Sequence, residues 1–107
     1  MAMDVPTAQR WQRAVTRALA ADLHHHLTRR GDSVVVPSKT DDGVTYCVQL
    51  AGGQVGWCTC PAGLAGKPCA HRAAVALRLA EKALGGMRIV AVKPAAIGQL
   101  ERYVRAA

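Results

Sequence analysis

The sequence has few of the residues that usually build a large hydrophobic core. It contains no phenylalanine, and its aromatic residues are Trp11, Trp57, Tyr46 and Tyr103. Half of the 107 residues are hydrophobic, but twenty of these are alanines, which bury little area each. A single domain with so small a hydrophobic core is expected to need further stabilisation from a metal ion, a disulfide or a partner chain.

Long apolar runs and an export signal are also missing. The absence of any run of about 18 apolar residues excludes a transmembrane helix, and no charged segment leads into an apolar one as in a secretory signal. We therefore expect a cytoplasmic protein, and the abundance of alanine and arginine suggests a GC-rich bacterial source. The four cysteines are then expected as thiols or metal ligands rather than as disulfides.

Acidic residues are scarce at both ends of the chain. The net charge is +7, and residues 1–30 carry five arginines against two aspartates. Residues 61–107 carry eight basic residues against two glutamates, whereas residues 31–60 are net negative. This asymmetry favours a polyanionic partner, although moderate positive charge can also serve solubility alone.

Hydrophobic periodicity predicts helices at three places. The first runs from about Thr7 to Arg29 and ends at Gly31, and the second runs from Ala70 to about Leu84. A last helical stretch is expected from Pro94 through Tyr103. The first helix has one continuous apolar face, which consists of Trp11, Val15, Ala18, Leu19, Leu23 and Leu27.

Three strand-like segments lie between the first two helices. They are Ser33–Pro37, Val44–Leu50 and Gln54–Cys58, with turn signals between them; Arg88–Val92 could add another strand. The pattern predicts an α+β fold in which a short antiparallel sheet leads into a helix. We divide the chain into an N-terminal amphipathic helix (1–32), a unit of strands, cysteines and helix (33–86) and a C-terminal extension (87–107).

Three cysteines and a histidine have the spacing of a metal site. Cys58 and Cys60 form a C-x-C pair at the end of the last strand, and Cys69 and His71 form a C-x-H pair at the start of the second helix. Three thiolates and one imidazole are a ligand set of closed tetrahedral zinc sites, so we predict one structural Zn²⁺. Unmetallated core thiols or a C-x-C redox pair are the alternatives, but neither requires Cys69 and His71 at these positions.

This pattern resembles the SWIM-type zinc finger, C-x-C…C-x-H. The context agrees, because Tyr46 lies on the preceding strand, Pro61 follows the second cysteine and an apolar helix follows His71. The resemblance covers about residues 44–84 and implies strands and a helix around zinc, in a module that binds DNA or proteins. Ala70 departs from the family, in which a basic residue is frequent at this position.

Basic residues on both helices are candidates for contact with nucleic-acid phosphates. A basic ridge of Arg10, Arg13, Arg17 and His24 is predicted on the solvent side of the first helix, although a merely solvated face would look the same. Around the zinc site the candidates are Lys67, Arg72, Arg78 and Lys82.

The alternative function is a protein-interaction adaptor or a homodimer. The apolar face of the first helix exceeds what a thin zinc finger can cover, which favours a protein partner. An enzyme has no support, since the sequence offers no carboxylate pair, no nucleophile with its base and no open metal position.

Other chemically active residues have a structural interpretation. Cys47 is expected to be a small, buried or half-buried residue, with a reactive thiol or substitute ligand as the alternative. Trp11 and Trp57 are expected in the core rather than stacked on bases.

The segment His24–His26 also has a structural interpretation. Asp22 and His26 are expected to pair, because they lie four residues apart on a helix. Consecutive residues on a helix point about 100° apart, so the three histidines are not expected to chelate together. A second metal site is the alternative.

Overall fold

A computed structural model of the chain describes residues 5–38 and 41–104. It contains four strands in the order β1-β2-β3-β4, all antiparallel, together with helices, which confirms the α+β class. The strands are β1 (Thr28–Arg30), β2 (Ser33–Pro37), β3 (Thr45–Ala51) and β4 (Gln54–Cys58). The helices are α1 (Val5–Ala20), the short α2 (Pro61–Leu64) and α3 (Ala70–Ala83), with 3₁₀ segments at Leu23–His25 and Pro94–Tyr103.

Helix α1 packs its apolar face against α3. Trp11, Ala14, Val15 and Ala18 are buried there, because they recur at three- and four-residue steps on one side of the helix. The small side chains of α3 allow this close approach. Among the described residues, no helix has the length and apolar character needed to cross a membrane.

The first helix is shorter than predicted. It ends at Ala20 rather than near Arg29, because Asp22 adopts a left-handed conformation with φ of 52°. The next residues form the 3₁₀ segment Leu23–His25, which we call the histidine turn. Strand β1 follows, and Gly31, with φ of 60°, forms the turn into β2 instead of ending a helix.

The sheet places Val34, Val36, Val48 and Leu50 on its buried face. The predicted bounds of β2 and β4 are confirmed, and β3 is displaced by one residue. Strand β1 was missed, since its three residues are all exposed and carry no hydrophobic pattern. The segment 88–92 forms no strand.

A bulge in β4 makes the prediction for Trp57 wrong. Val48 pairs with Cys58 and Leu50 with Val55, so β4 has one extra residue at this point. Val55 and Cys58 therefore both face the core, and the side chain of Trp57 is 55% exposed. Gly56 is required in the bulge, because a Cβ atom there would lie 2.8 Å from the carbonyl oxygen of Gln49.

The C-terminal 3₁₀ helix completes the core. Ile97 and Leu100 are buried in the same cluster as Trp11 of α1 and Val55 of β4. Gln54 also donates a hydrogen bond from Nε2 to the carbonyl oxygen of Arg102. The first helix and the C-terminal segment thus pack on the same core as the sheet, and the division at residues 32 and 86 stays a prediction.

Candidate metal centre and basic surface

The ends of three elements bring the predicted metal ligands together. Strand β4 ends at Cys58, Cys60 is the N-cap of α2, Cys69 is the N-cap of α3, and His71 lies in the first turn of α3. One ligand atom of each residue lies within 4.8 Å of the others. We call these four residues and the loop 59–70 the knuckle.

Backbone amides donate to all three sulfurs. The N–H of Gly63 donates to Sγ of Cys60 at 3.2 Å, and that of Arg72 donates to Sγ of Cys69 at 3.4 Å. The N–H of Cys60 donates to Sγ of Cys58 at 3.5 Å. Amides that point at sulfur stabilise the thiolate form, which is the form that binds metal.

The knuckle keeps its thiols close and buried. Cys58, Cys60 and Cys69 are buried, and the ring of Tyr46 lies 4.6 Å from that of His71. The hydrogen bond between Cys58 and Cys69 lowers the pKa of Cys69 to about 4 and raises the pKa of Cys58. Without a cation, the thiols of Cys58 and Cys69 therefore do not ionise together.

The residues fit a zinc ion. Within the described residues, Nδ1 of His71 is buried and has no hydrogen-bond partner. A buried polar atom without a partner costs free energy unless the site binds a ligand such as a metal ion. Three thiolates and an imidazole would fill all four positions of tetrahedral zinc, so the zinc is structural. When bound, it supplies folding energy and joins β4, α2 and α3.

The knuckle loop requires glycine at one position. A Cβ atom on Gly63 would lie 2.4 Å from the carbonyl oxygen and 2.6 Å from Cβ of Cys58. Only glycine lets the first turn of α2 fold back onto the end of β4 at this distance. Gly63 therefore shapes the site, although it provides no ligand side chain.

The predicted nucleic-acid residues fall into exposed and buried sets. Arg10, Arg13 and Arg17 are exposed on α1, and we call them the arginine face. Lys67 of the knuckle and Lys82 of α3 are also exposed. Arg78 is exposed too, but its Nη1 donates to Oε1 of Glu81 at 3.2 Å.

The predictions for Arg72 and His24 are wrong, because both side chains are buried. Arg72 is 9% exposed, and its Cζ lies 5.2 Å from the ring centre of Trp11, as in a cation–π contact. Burial lowers the pKa of this guanidinium, although the neighbouring thiols oppose the shift. His24 is 1% exposed, since α1 ends before it and the histidine turn faces α3.

The prediction for Cys47 is wrong, whereas the predicted pair of Asp22 and His26 is present. Cys47 is exposed, because it lies on the outer face of the sheet, opposite to the buried Val48. Oδ2 of Asp22 lies 3.5 Å from Nε2 of His26, as predicted, and Oδ1 of Asp22 also lies 2.6 Å from Nδ1 of His25. This contact with His25 lowers the pKa of the Asp22 carboxyl.

Glu81 organises a second polar cluster that the sequence did not reveal. It is fully buried in α3, and its Oε2 accepts hydrogen bonds from Nε2 of His25 at 2.7 Å and from the N–H of Ile89 at 2.6 Å. Burial alone would raise the pKa of Glu81, but the bonds from Ile89, His25 and Arg78 lower it below its ordinary value. Glu81 lies among the charged residues Arg78 and Lys82, so no local pattern marks it as buried; the signal in the sequence is the adjacent pair of histidines, which need partners when buried.

Comparison with known proteins identifies the knuckle region. Residues 46–80 match the family model of the SWIM zinc finger, which confirms the resemblance over β3, β4, α2 and most of α3. Helix α1, β1 and the C-terminal 3₁₀ helix lie outside the match. The comparisons with curated proteins and with solved structures give no match.

Proposed function

We propose that this SWIM zinc finger, with α1 beside it, is a nucleic-acid-binding module without catalytic activity. The observation that carries the proposal is the arginine face of α1, whose last member, Arg17, borders the knuckle. Arg17 lines a cleft of about 230 Å³ together with Tyr46, Pro61, Pro68 and His71, among others. A phosphate backbone lying along α1 would thus reach the knuckle.

The charges on α1 suit phosphate. The helix contains no acidic residue, and among the described residues none of its three arginines forms an ion pair. Unpaired guanidinium groups one turn apart bind phosphate oxygens without first breaking an internal contact. Exposed Lys67 of the knuckle loop adds a further positive charge.

The proposal places the module in a bacterial cytoplasm. There the cysteines stay reduced and available to zinc. The composition of the chain favours that source, and the partner is then DNA or another nucleic acid.

Binding is expected to depend steeply on salt. The logarithm of the association constant falls with the logarithm of salt concentration by about 0.9 per neutralised phosphate. Replacing Arg10, Arg13 and Arg17 together by Gln should weaken binding at about 50 mM salt and make the slope shallower by roughly three. Fluorescence anisotropy with labelled single- and double-stranded DNA of mixed sequence measures both quantities.

A charge-matched variant is the control for this experiment. Replacing Arg29, Arg30 and Arg102 by Gln removes the same charge from exposed positions outside α1. This control should bind with nearly the native slope. No binding at about 50 mM salt, a flat salt response, or an equal loss in both variants would contradict the proposal.

A protein partner is the second candidate. The apolar face of α1 no longer argues for it, since α3 covers Trp11, Val15 and Ala18 within the same chain. The observation that favours it now is the exposure of Leu84, Met87 and Val90 after the end of α3. Light scattering separates a homodimer through these residues from a monomer.

A further inference from the structure

We propose that Asp22, His24 and His25 form a second metal site, which binds a divalent cation of the zinc class separately from the knuckle. One ligand atom of each residue lies within 4.8 Å of the others. Two imidazoles and a carboxylate are a ligand set for Zn²⁺ and for similar transition metals.

The imidazole rings of His24 and His25 lie against each other in the histidine turn. Because α1 ends at Ala20 and Asp22 is left-handed, His24 and His25 lie on a 3₁₀ turn rather than on a regular helix. Their ring centres are 3.8 Å apart, with an angle of 39° between the planes. Consecutive residues on a 3₁₀ helix point about 120° apart, so it is the close approach of the two rings that brings the imidazoles within reach of one ion.

The two imidazoles are already oriented by outer partners. Nε2 of His25 donates to Oε2 of Glu81 at 2.7 Å, and Nε2 of His24 donates to the carbonyl oxygen of Ile89 at 2.6 Å. Metal-binding histidines are usually held in this way, with one ring nitrogen donating to a carboxylate or carbonyl and the other free to ligate. A metal would therefore bind Nδ1 of each ring, which is unpartnered in His24 and lies against the carboxylate of Asp22 in His25.

The two Nδ1 atoms have different surroundings. Nδ1 of His24 is buried and has no hydrogen-bond partner within the described part of the chain. Nδ1 of His25 lies 2.6 Å from Oδ1 of Asp22 and 3.1 Å from Nη2 of Arg88. A single ring nitrogen cannot donate to the carboxylate and accept from the guanidinium at once, whereas a bound cation would satisfy both the nitrogen and the carboxylate.

Metal binding requires only small movements. Ligand atoms about 2.0–2.1 Å from one tetrahedral zinc lie about 3.3 Å apart, so Oδ1 of Asp22 and Nδ1 of His25, which are 2.6 Å apart, must separate by about 0.7 Å. Arg88 must also turn away, which an exposed side chain can do. The guanidinium of Arg88 therefore competes with the metal for Nδ1 of His25. The buried carboxylate of Glu81, which accepts from Nε2 of the same ring, offsets the positive charge of the ion.

The experiment is a zinc titration of the full chain with a competing chromophoric chelator. The native protein should bind one tight equivalent in the knuckle and a second, weaker one. Asp22→Asn should weaken the second equivalent by roughly tenfold or more and leave the first unchanged. Asparagine tolerates the left-handed conformation of this position, so this variant keeps the fold.

Two further variants test the site from opposite directions. Arg88→Gln removes the competing cation and should tighten the second equivalent, a result that a purely structural hydrogen-bond network would not give. Asp32→Asn, at an exposed position outside the cluster, is the control and should change nothing. Cobalt in the second site should add absorption without a thiolate charge-transfer band, which distinguishes it from the knuckle.

Two results would overturn the proposal. One is a native protein that binds a single equivalent of zinc at saturation. The other is a second equivalent that keeps its affinity in both Asp22→Asn and Arg88→Gln.

Discussion

Removing zinc, or replacing Cys60 by Ser, is expected to unfold the chain. A structural zinc site contributes on the order of 10 kcal/mol of folding free energy, whereas whole domains are stable by about 5–15 kcal/mol. The alanine-rich core leaves little reserve, and Cys60 also caps α2 by accepting the N–H of Gly63. Loss of the zinc site therefore removes most of the free energy that holds β4, α2 and α3 together.

Circular dichroism tests this expectation when the amount of bound zinc is measured in parallel. Signal from helix should collapse as a strong chelator removes the metal and return when zinc is added back. Cys47→Ser is the matched control, since Cys47 is exposed and lies outside the cluster of ligands. A native spectrum after complete zinc removal would refute the structural role.

Glu81→Gln is expected to be the most damaging substitution away from the knuckle. It removes the negative charge that faces His25 and Arg78, and it directs an amide toward the N–H of Ile89 in one of its two orientations. Breaking a buried charged network by changing one partner costs about 3–5 kcal/mol. Urea denaturation of the zinc-loaded protein measures the loss, with the exposed Asp42→Asn as a control that should stay within about 0.5 kcal/mol of the native protein.

The same substitution changes the response to acid. The pKa of Glu81 lies below its ordinary value of 4.5, so its ionised form stabilises the folded state above that pH. This contribution is lost as the pH falls from about 4.5 through the lowered pKa of the folded state. Because acid also protonates the zinc ligands, bound zinc is measured at each pH and the two proteins are compared at equal zinc content. The stability advantage of the native protein over Glu81→Gln should then shrink in that range, and a difference that does not change with pH would contradict the assignment.

Local patterns in the sequence were sufficient for the knuckle. The C-x-C and C-x-H spacings indicate the metal ligands directly, because the two ligands of each pair are close along the chain. The first pair lies at the end of a strand and the second at the start of a helix. The bounds of α3 and of β2 followed from periodicity and from the glycines and prolines around them. The C-terminal helical stretch was also predicted, although it forms a 3₁₀ helix.

Features that depend on distant contacts were not predictable in the same way. Arg72 has the spacing of a solvent-facing residue, but it is buried because Trp11, sixty-one positions earlier, lies beside it. Trp57 was assigned to the core because strict alternation predicts it, and the bulge opposite Gln49 reverses that alternation. Helix α1 ends early where Asp22 is left-handed, and the histidine turn that follows contacts Glu81 of α3, a contact that no local pattern contains.

X-ray absorption spectroscopy of the protein loaded with one equivalent of zinc tests the central claim most directly. The account predicts a first shell of three sulfurs at about 2.3 Å and one nitrogen at about 2.0–2.1 Å. That shell corresponds to Cys58, Cys60, Cys69 and His71. A shell made only of nitrogen and oxygen, or one with fewer than three sulfurs, would contradict it.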